Sequence, residues 1–152
     1  MLFRSGGGGL LAGCALALAD AAPKALVYAA EPADFNDTAR SLAAGERLAN
    51  APGGKTICDA IVTPTPGRIT FEINRKLVAG GLVASDAEVG RAMRLAFEHL
   101  RIVIEPGGAI ALACVLAGRI DAVGKVIAVV ASGGNVDADL FARMLGPADG
   151  TA

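Results

Sequence analysis

Residues 5–10 of this chain read Ser-Gly-Gly-Gly-Gly-Leu and run without a break into an apolar, Ala-rich segment, Leu11 to Ala22. A glycine held in a fixed backbone gives up about 0.5–1 kcal/mol more than an alanine would. Such a run therefore persists where the backbone itself touches something, and the partner that suits it is an anion. Successive N–H groups turn inward as a nest, and the first turn of the following helix adds unpaired donors and the positive end of its dipole, which together fit a phosphate. A flexible linker is the alternative. It would carry more serine and would not feed a helix with Ala or Leu at nearly every position.

Composition narrows the fold. Apolar residues make up 53% of the 152 and aromatics only 4%, with Ala and Gly prominent. This favours closely packed helices on a Val/Ile-rich parallel sheet, an α/β fold, as a single domain or part of one. A net charge of -1 offers nucleic acid no electrostatic footprint. The three cysteines, Cys14, Cys58 and Cys114, lack the spacing of a disulfide framework or a zinc site, and a reducing cytoplasm is the expected compartment. Arg4 followed by Leu10-Leu11-Ala12-Gly13-Cys14 imitates the end of a bacterial lipoprotein signal. The glycines, however, stand where such a signal needs its apolar stretch. No apolar run is long enough to predict a membrane span.

Along the chain the pattern predicts a helix over 10–22 closed by Pro23, a short buried strand over 25–30, and a helix capped by Asn36 or Asp37 and running through Ala44. Residues 45–67 read as irregular and as a candidate substrate-side surface, followed by a helix over 69–78. An edge strand is expected at 81–84. Ser85-Asp86-Ala87-Glu88 is a capping box that starts a helix reaching about Leu100. Residues 102–106 read as extended, 107–118 as helix and 125–131 as a buried strand, and Asp137 caps a last helix to Leu145. Residues 146–152 read as a frayed tail. No strand is expected before the glycines.

Two strands thus end in chemically loaded turns, at Glu31 and at Ser132, and ligands of open parallel sheets sit at the carboxyl ends of strands. The ordered set Ser5 to Leu10, Ala30-Glu31-Pro32, Ile104-Glu105-Pro106-Gly107-Gly108-Ala109 and Ser132-Gly133-Gly134-Asn135-Val136-Asp137 resembles the second half of a serine/threonine dehydratase or serine racemase. These are pyridoxal-phosphate enzymes of the tryptophan-synthase-β-like fold. The resemblance implies that Gly6, Gly7, Gly8, Gly9 and Leu10 cradle the cofactor's phosphate, that Glu105 belongs to the cofactor side, and that the Ser132 hydroxyl meets the pyridine nitrogen. It also implies that Glu31, Asp37 and the carbonyl of Phe35 hold a divalent cation such as Mg²⁺ or Ca²⁺, a donor set suited to a hard ion. A plain helix cap is the other reading of Asp37.

The departures from that family are as informative. Its members carry an upstream Ser-x-Lys-x-Arg-Gly segment, whose lysine bonds the cofactor, and a Ser-Gly-Asn-His loop that grips the substrate carboxylate. Neither occurs here. The lysines are Lys24, Lys55, Lys76 and Lys125, of which Lys24 and Lys125 precede strands and fall at the far end of the sheet. Cys58-Asp59-Ala60 stands where the family has Ala-Asp-Gly. The chain is therefore expected to be a fragment, inactive alone, that acts on a small hydroxy-amino acid as part of a homo-oligomer or with a separate amino-terminal half. His99 reads as a surface or packing residue. Two other functions stay open: a dinucleotide-binding domain, in which Gly7-x-Gly9-x-x-Ala12 cradles a pyrophosphate and Glu31 holds a ribose, and a non-catalytic remnant that binds phosphate compounds.

Overall fold

The computed structural model describes residues 1–146. Its first element corrects the sequence reading: a strand, β1, Leu2–Arg4, does lie directly before the glycines. So short a segment shows no period of its own, and only its partners reveal it. It pairs in parallel with β2, Tyr28–Pro32, setting Leu2 opposite Tyr28 and Arg4 opposite Ala30. β2 pairs in parallel with β3, Gly80–Ala84, so the sheet order is β1-β2-β3 and β3 is the edge that was expected.

The buried strand expected over 125–131 is not formed. It is reduced to one parallel bridge between Val129 and Leu2, held by Leu2 N–H donating to the Ala128 carbonyl at 2.9 Å and Val130 N–H donating to the Leu2 carbonyl at 3.1 Å. β1 is too short to template a longer ladder, and among the described residues the segment meets no strand on its other side. Val126 is accordingly exposed, and Ile127 to Val130 are half-buried.

The described helices are α1, Gly9–Ala21; α2, Asp37–Ala44; α3, Arg68–Leu77; α4, Asp86–Leu95; α5, Pro106–Leu116; and α6, Ala138–Leu145. Side chains leave a strand on alternate faces, and this divides the core in two. Leu2, Ala30 and Ala84 face Val89 and Met93 of α4 and Ala109 and Ile110 of α5. Phe3 and Ala29 face Leu11 and Ala15 of α1. The result is a three-layer arrangement of helices on both faces of a parallel sheet. α5 is buried from Pro106 to Ala111 and packs against all three strands, which its small residues permit.

The capping box of α4 forms as expected, with Glu88 N–H donating to Ser85 Oγ at 3.3 Å and Ser85 N–H to Glu88 Oε2 at 2.8 Å. The helix continues through a π-type turn, Ala96–Leu100, on which His99 is exposed. Residues 45–67 are irregular apart from one tight turn, Asp59–Ile61. The tail expected at 146–152 lies, beyond Gly146, outside the described residues. No described helix is long and apolar enough to cross a membrane.

Candidate functional site

β1 brings the chain to the carboxyl edge of the sheet at Ser5, which is buried and held from two sides. Its N–H donates to the Ala30 carbonyl at 3.0 Å, and its hydroxyl lies 3.1 Å from Thr38 Oγ1. The glycines then turn into α1. The Gly7 carbonyl accepts from Thr70 Oγ1 at 2.6 Å and from Gly67 N–H at 3.2 Å, so it is drawn toward α3. The first hydrogen bond of α1 runs from Ala12 N–H to the Gly8 carbonyl. Among the described residues nothing accepts from the N–H groups of Gly6, Gly7, Gly8, Gly9 or Leu10. These residues, with Arg4 and Ala60, line a cavity of about 130 Å³. Its wall is therefore a row of amide donors at the positive end of a helix, the arrangement that binds an anion.

Gly8 is required twice over. Its φ is 84°, and a Cβ there would stand 2.9 Å from Asn74 Nδ2 and 3.0 Å from Thr70 Oγ1. Gly7 and Gly9, in contrast, look into open space. Thr70 and Asn74, one turn apart on α3, thus fix the shape of the loop. Sequence reasoning missed both. The available signal was a buried asparagine on the apolar face of an amphipathic helix.

The second loaded turn arrives at the same edge. Arg4 Nε donates to Ser132 Oγ at 2.9 Å, which ties the end of β1 to the Ser132–Asn135 loop. Glu105 does not border the cavity. It precedes α5 and anchors that loop: its N–H donates to the Gly133 carbonyl at 3.2 Å, and its Oε2 accepts from Asn135 N–H at 3.2 Å. Gly133 adopts φ 91°, and a Cβ on it would press on Glu105 Oε1, while one on Gly108 would overlap the Ser132 carbonyl. Glycine at both positions lets the loop sit on the first turn of α5. On the opposite wall the Asp59–Ile61 turn sets Ala60 at the cavity and Ile61 against Gly6. The Cys58 thiol beneath it is pushed up to about 12 by burial and so stays protonated.

Glu31 serves a purpose the sequence did not disclose. It is fully buried, its Oε1 accepts from Thr38 N–H at 3.1 Å and its Oε2 from Ala39 N–H at 2.8 Å, so a strand residue caps α2 in place of Asn36. Burial raises its carboxyl to about 7, against the opposing effect of these hydrogen bonds. Asp37, also buried, accepts from Asn50 Nδ2 through Oδ1 at 2.6 Å. Its Oδ2 has no partner among the described residues. Phe35 lies between the two, at the end of the turn Ala33–Phe35. No group of three His, Cys, Asp or Glu side chains suited to a metal ion occurs among the described residues. A larger open hollow of about 420 Å³ lies beside this region, lined by Ala33, Asp34, Asn36, Arg40 and residues 50–54.

Lys24, Lys55, Lys76 and Lys125 are all exposed, and none borders the glycine cavity. The strand that a dinucleotide site requires before its glycines is present as β1. The carboxylate that would hold a ribose is nevertheless buried in the cap of α2, which removes the chemical basis of that reading.

Comparison with known proteins agrees with this geometry. The family described as pyridoxal-phosphate dependent enzyme matches residues 1–133. The chain is 42% identical over 135 residues to a beta-hydroxyaspartate dehydratase of Paracoccus denitrificans, covering 88% of this chain and 42% of that protein. It is 37% identical over 143 residues to a serine racemase of Dictyostelium discoideum, covering 92% and 44%. The structure of maize serine racemase superposes with a TM-score of 0.84 at 33% identity, covering 93% of this chain and 44% of that one. The chain therefore spans less than half the length of these relatives. Its sheet, its glycine loop and its sequence together place this chain in the family of pyridoxal-phosphate dependent enzymes.

Proposed function

We propose that the chain is the phosphate-holding part of a pyridoxal-phosphate ammonia-lyase of the serine/threonine dehydratase and serine racemase kind, which turns L-serine or L-threonine into a 2-oxo acid and ammonia. The observation that carries this reading is the row of unclaimed amides, Gly6 to Leu10, at the amino end of α1. When bound, pyridoxal phosphate would supply an electron sink for breaking bonds at an amino acid's α-carbon. The chain's own residues hold and orient. The amides and the α1 dipole fix a phosphate, and the Thr70 and Gly67 contacts keep the Gly7 carbonyl from filling the cradle. Arg4 Nε–H donates to Ser132 Oγ, so the serine keeps its own hydrogen to offer to the ring nitrogen. A hydroxyl in that place does not fix a proton on the nitrogen as a carboxylate would.

Glu31, Asp37 and the Phe35 carbonyl are the residues that would hold a divalent cation. The buried Asp37 Oδ2, without a partner among the described residues, supports this, whereas Glu31 would have to share its oxygens with the Thr38 and Ala39 amides. The free thiols Cys14, Cys58 and Cys114 suit a reducing compartment, and the cytoplasm is the proposed one. Leu26, Val103, Val123 and Val126 are more than half exposed, and we assign them to the surface that a second copy or a complementary chain covers.

One observation favours a second reading, a phosphate-binding module without catalysis: no lysine borders the cavity. Both readings share the cradle, and Gly9→Asp tests it. Gly9 opens α1, and a Cβ there meets nothing. The new carboxylate suits the helix end but stands where the phosphate would lie. Inorganic phosphate or pyridoxal phosphate should raise the melting temperature of the wild type and leave Gly9→Asp, melting no lower than wild type without ligand, unmoved. Equal responses in the two proteins, or none in the wild type, would refute the cradle.

A further inference from the structure

We propose that Arg4 is a side-chain member of the anion site, so that the cavity is built for a doubly charged phosphate monoester rather than for any small anion. The proposal rests on the glycine-cradle reading and goes beyond it. Arg4 ends β1, is half-buried and borders the cavity together with Gly6 to Leu10. Its guanidinium carries five N–H donors and no acceptor, and it stays charged in a protein. One donor, Nε–H, is spent on Ser132 Oγ at 2.9 Å. Among the described residues no carboxylate lies within 4.0 Å of the others, whereas Arg75, Arg94 and Arg119 each have one.

A half-buried cation without a counter-ion, set beside the positive end of a 13-residue helix, raises the local potential in a place where two positive features repel each other. That arrangement is favourable once an anion enters. The amides alone act as partial charges, but a guanidinium offers a planar pair of donors matched to two phosphate oxygens. The Ser132 contact fixes the side chain of this cavity-lining residue and leaves its terminal nitrogens without a hydrogen-bond partner among the described residues. Affinity should then follow the charge of the ligand, with dianionic phosphate preferred over its monoanion.

The test uses the whole chain, inorganic phosphate at pH 7.5 and amide-detected resonance. In the wild type, adding phosphate should shift the amides of Gly6 to Gly9 and the side-chain N–H signals of Arg4 along one binding curve. Arg4→Gln should weaken binding roughly tenfold or more, the range of a lost charge-assisted hydrogen bond, and Arg4→Lys should recover part of it. The competing role for Arg4 is to tether Ser132 alone. Arg4→Gln would then disturb the Ser132 to Asn135 amides while phosphate affinity keeps its wild-type value, and that result overturns the proposal. A wild-type spectrum in which the Gly6 to Gly9 amides ignore phosphate would overturn the cradle itself, and this proposal with it.

Discussion

Single residues decide whether the glycine loop can exist. Gly8 combines a left-handed backbone with a position where a Cβ would press on Thr70 and Asn74, whereas a Cβ on Gly7 would meet nothing. Gly8→Ala should therefore lower the unfolding free energy by about 1–2 kcal/mol for the left-handed backbone alone, with the steric term added. Gly7→Ala should change it by much less. Urea unfolding of the two variants measures the difference, and equal losses would show that the loop is not pinned by α3. The importance of this segment was legible in the sequence because its logic is local: a glycine run entering a helix. Arg4 was not legible, because its partner Ser132 lies 128 positions away. Glu31 was legible as a residue of consequence, but its partners, the Thr38 and Ala39 amides, became apparent only once α2 was seen to lie across the end of β2.

The elements differ in how they are closed. α4 carries its own start signal, the Ser85/Glu88 box, and sequence and structure agree on it. α2 has Asn36 at the corresponding position, yet that side chain makes no cap bond and instead accepts from Arg40 Nε at 2.8 Å. Removal of the α4 cap by Ser85→Ala should cost about 1 kcal/mol. Asn36→Ala should cost only the side-chain pair with Arg40, about 0.2–0.5 kcal/mol. Thermal or urea unfolding compares them, and a larger loss for Asn36→Ala would contradict the assignment of the α2 cap to Glu31. The segment over 125–131 shows the limit of reading from composition. Its apolar run is that of a buried strand, but strand formation needs a neighbour, and β1 offers only Leu2. The same shortness hid β1, whose three residues became a strand through β2 and not through any pattern of their own.

At the scale of the molecule, the proposed phosphate cradle is drawn from one edge of one sheet: the end of β1, the start of α1, the Asp59–Ile61 turn, and Thr70 and Asn74 of α3. The fold class was legible because small residues and ordered glycine motifs dictate close helix-on-sheet packing. The division of labour around the cavity was not, because Ala60 reaches it from a turn distant in sequence and Arg4 is held by the distant Ser132. On this reading the edge binds the phosphate of pyridoxal phosphate by itself, with no lysine of the chain taking part. Titrating pyridoxal phosphate while following the amide resonances tests it most directly. The Gly6 to Gly9 signals should move together, with an affinity about millimolar, or about −4 kcal/mol, while signals around Lys24, Lys55, Lys76 and Lys125 stay in place. Glycine signals that remain still at high ligand concentration, or shifts gathered around one lysine, would contradict it.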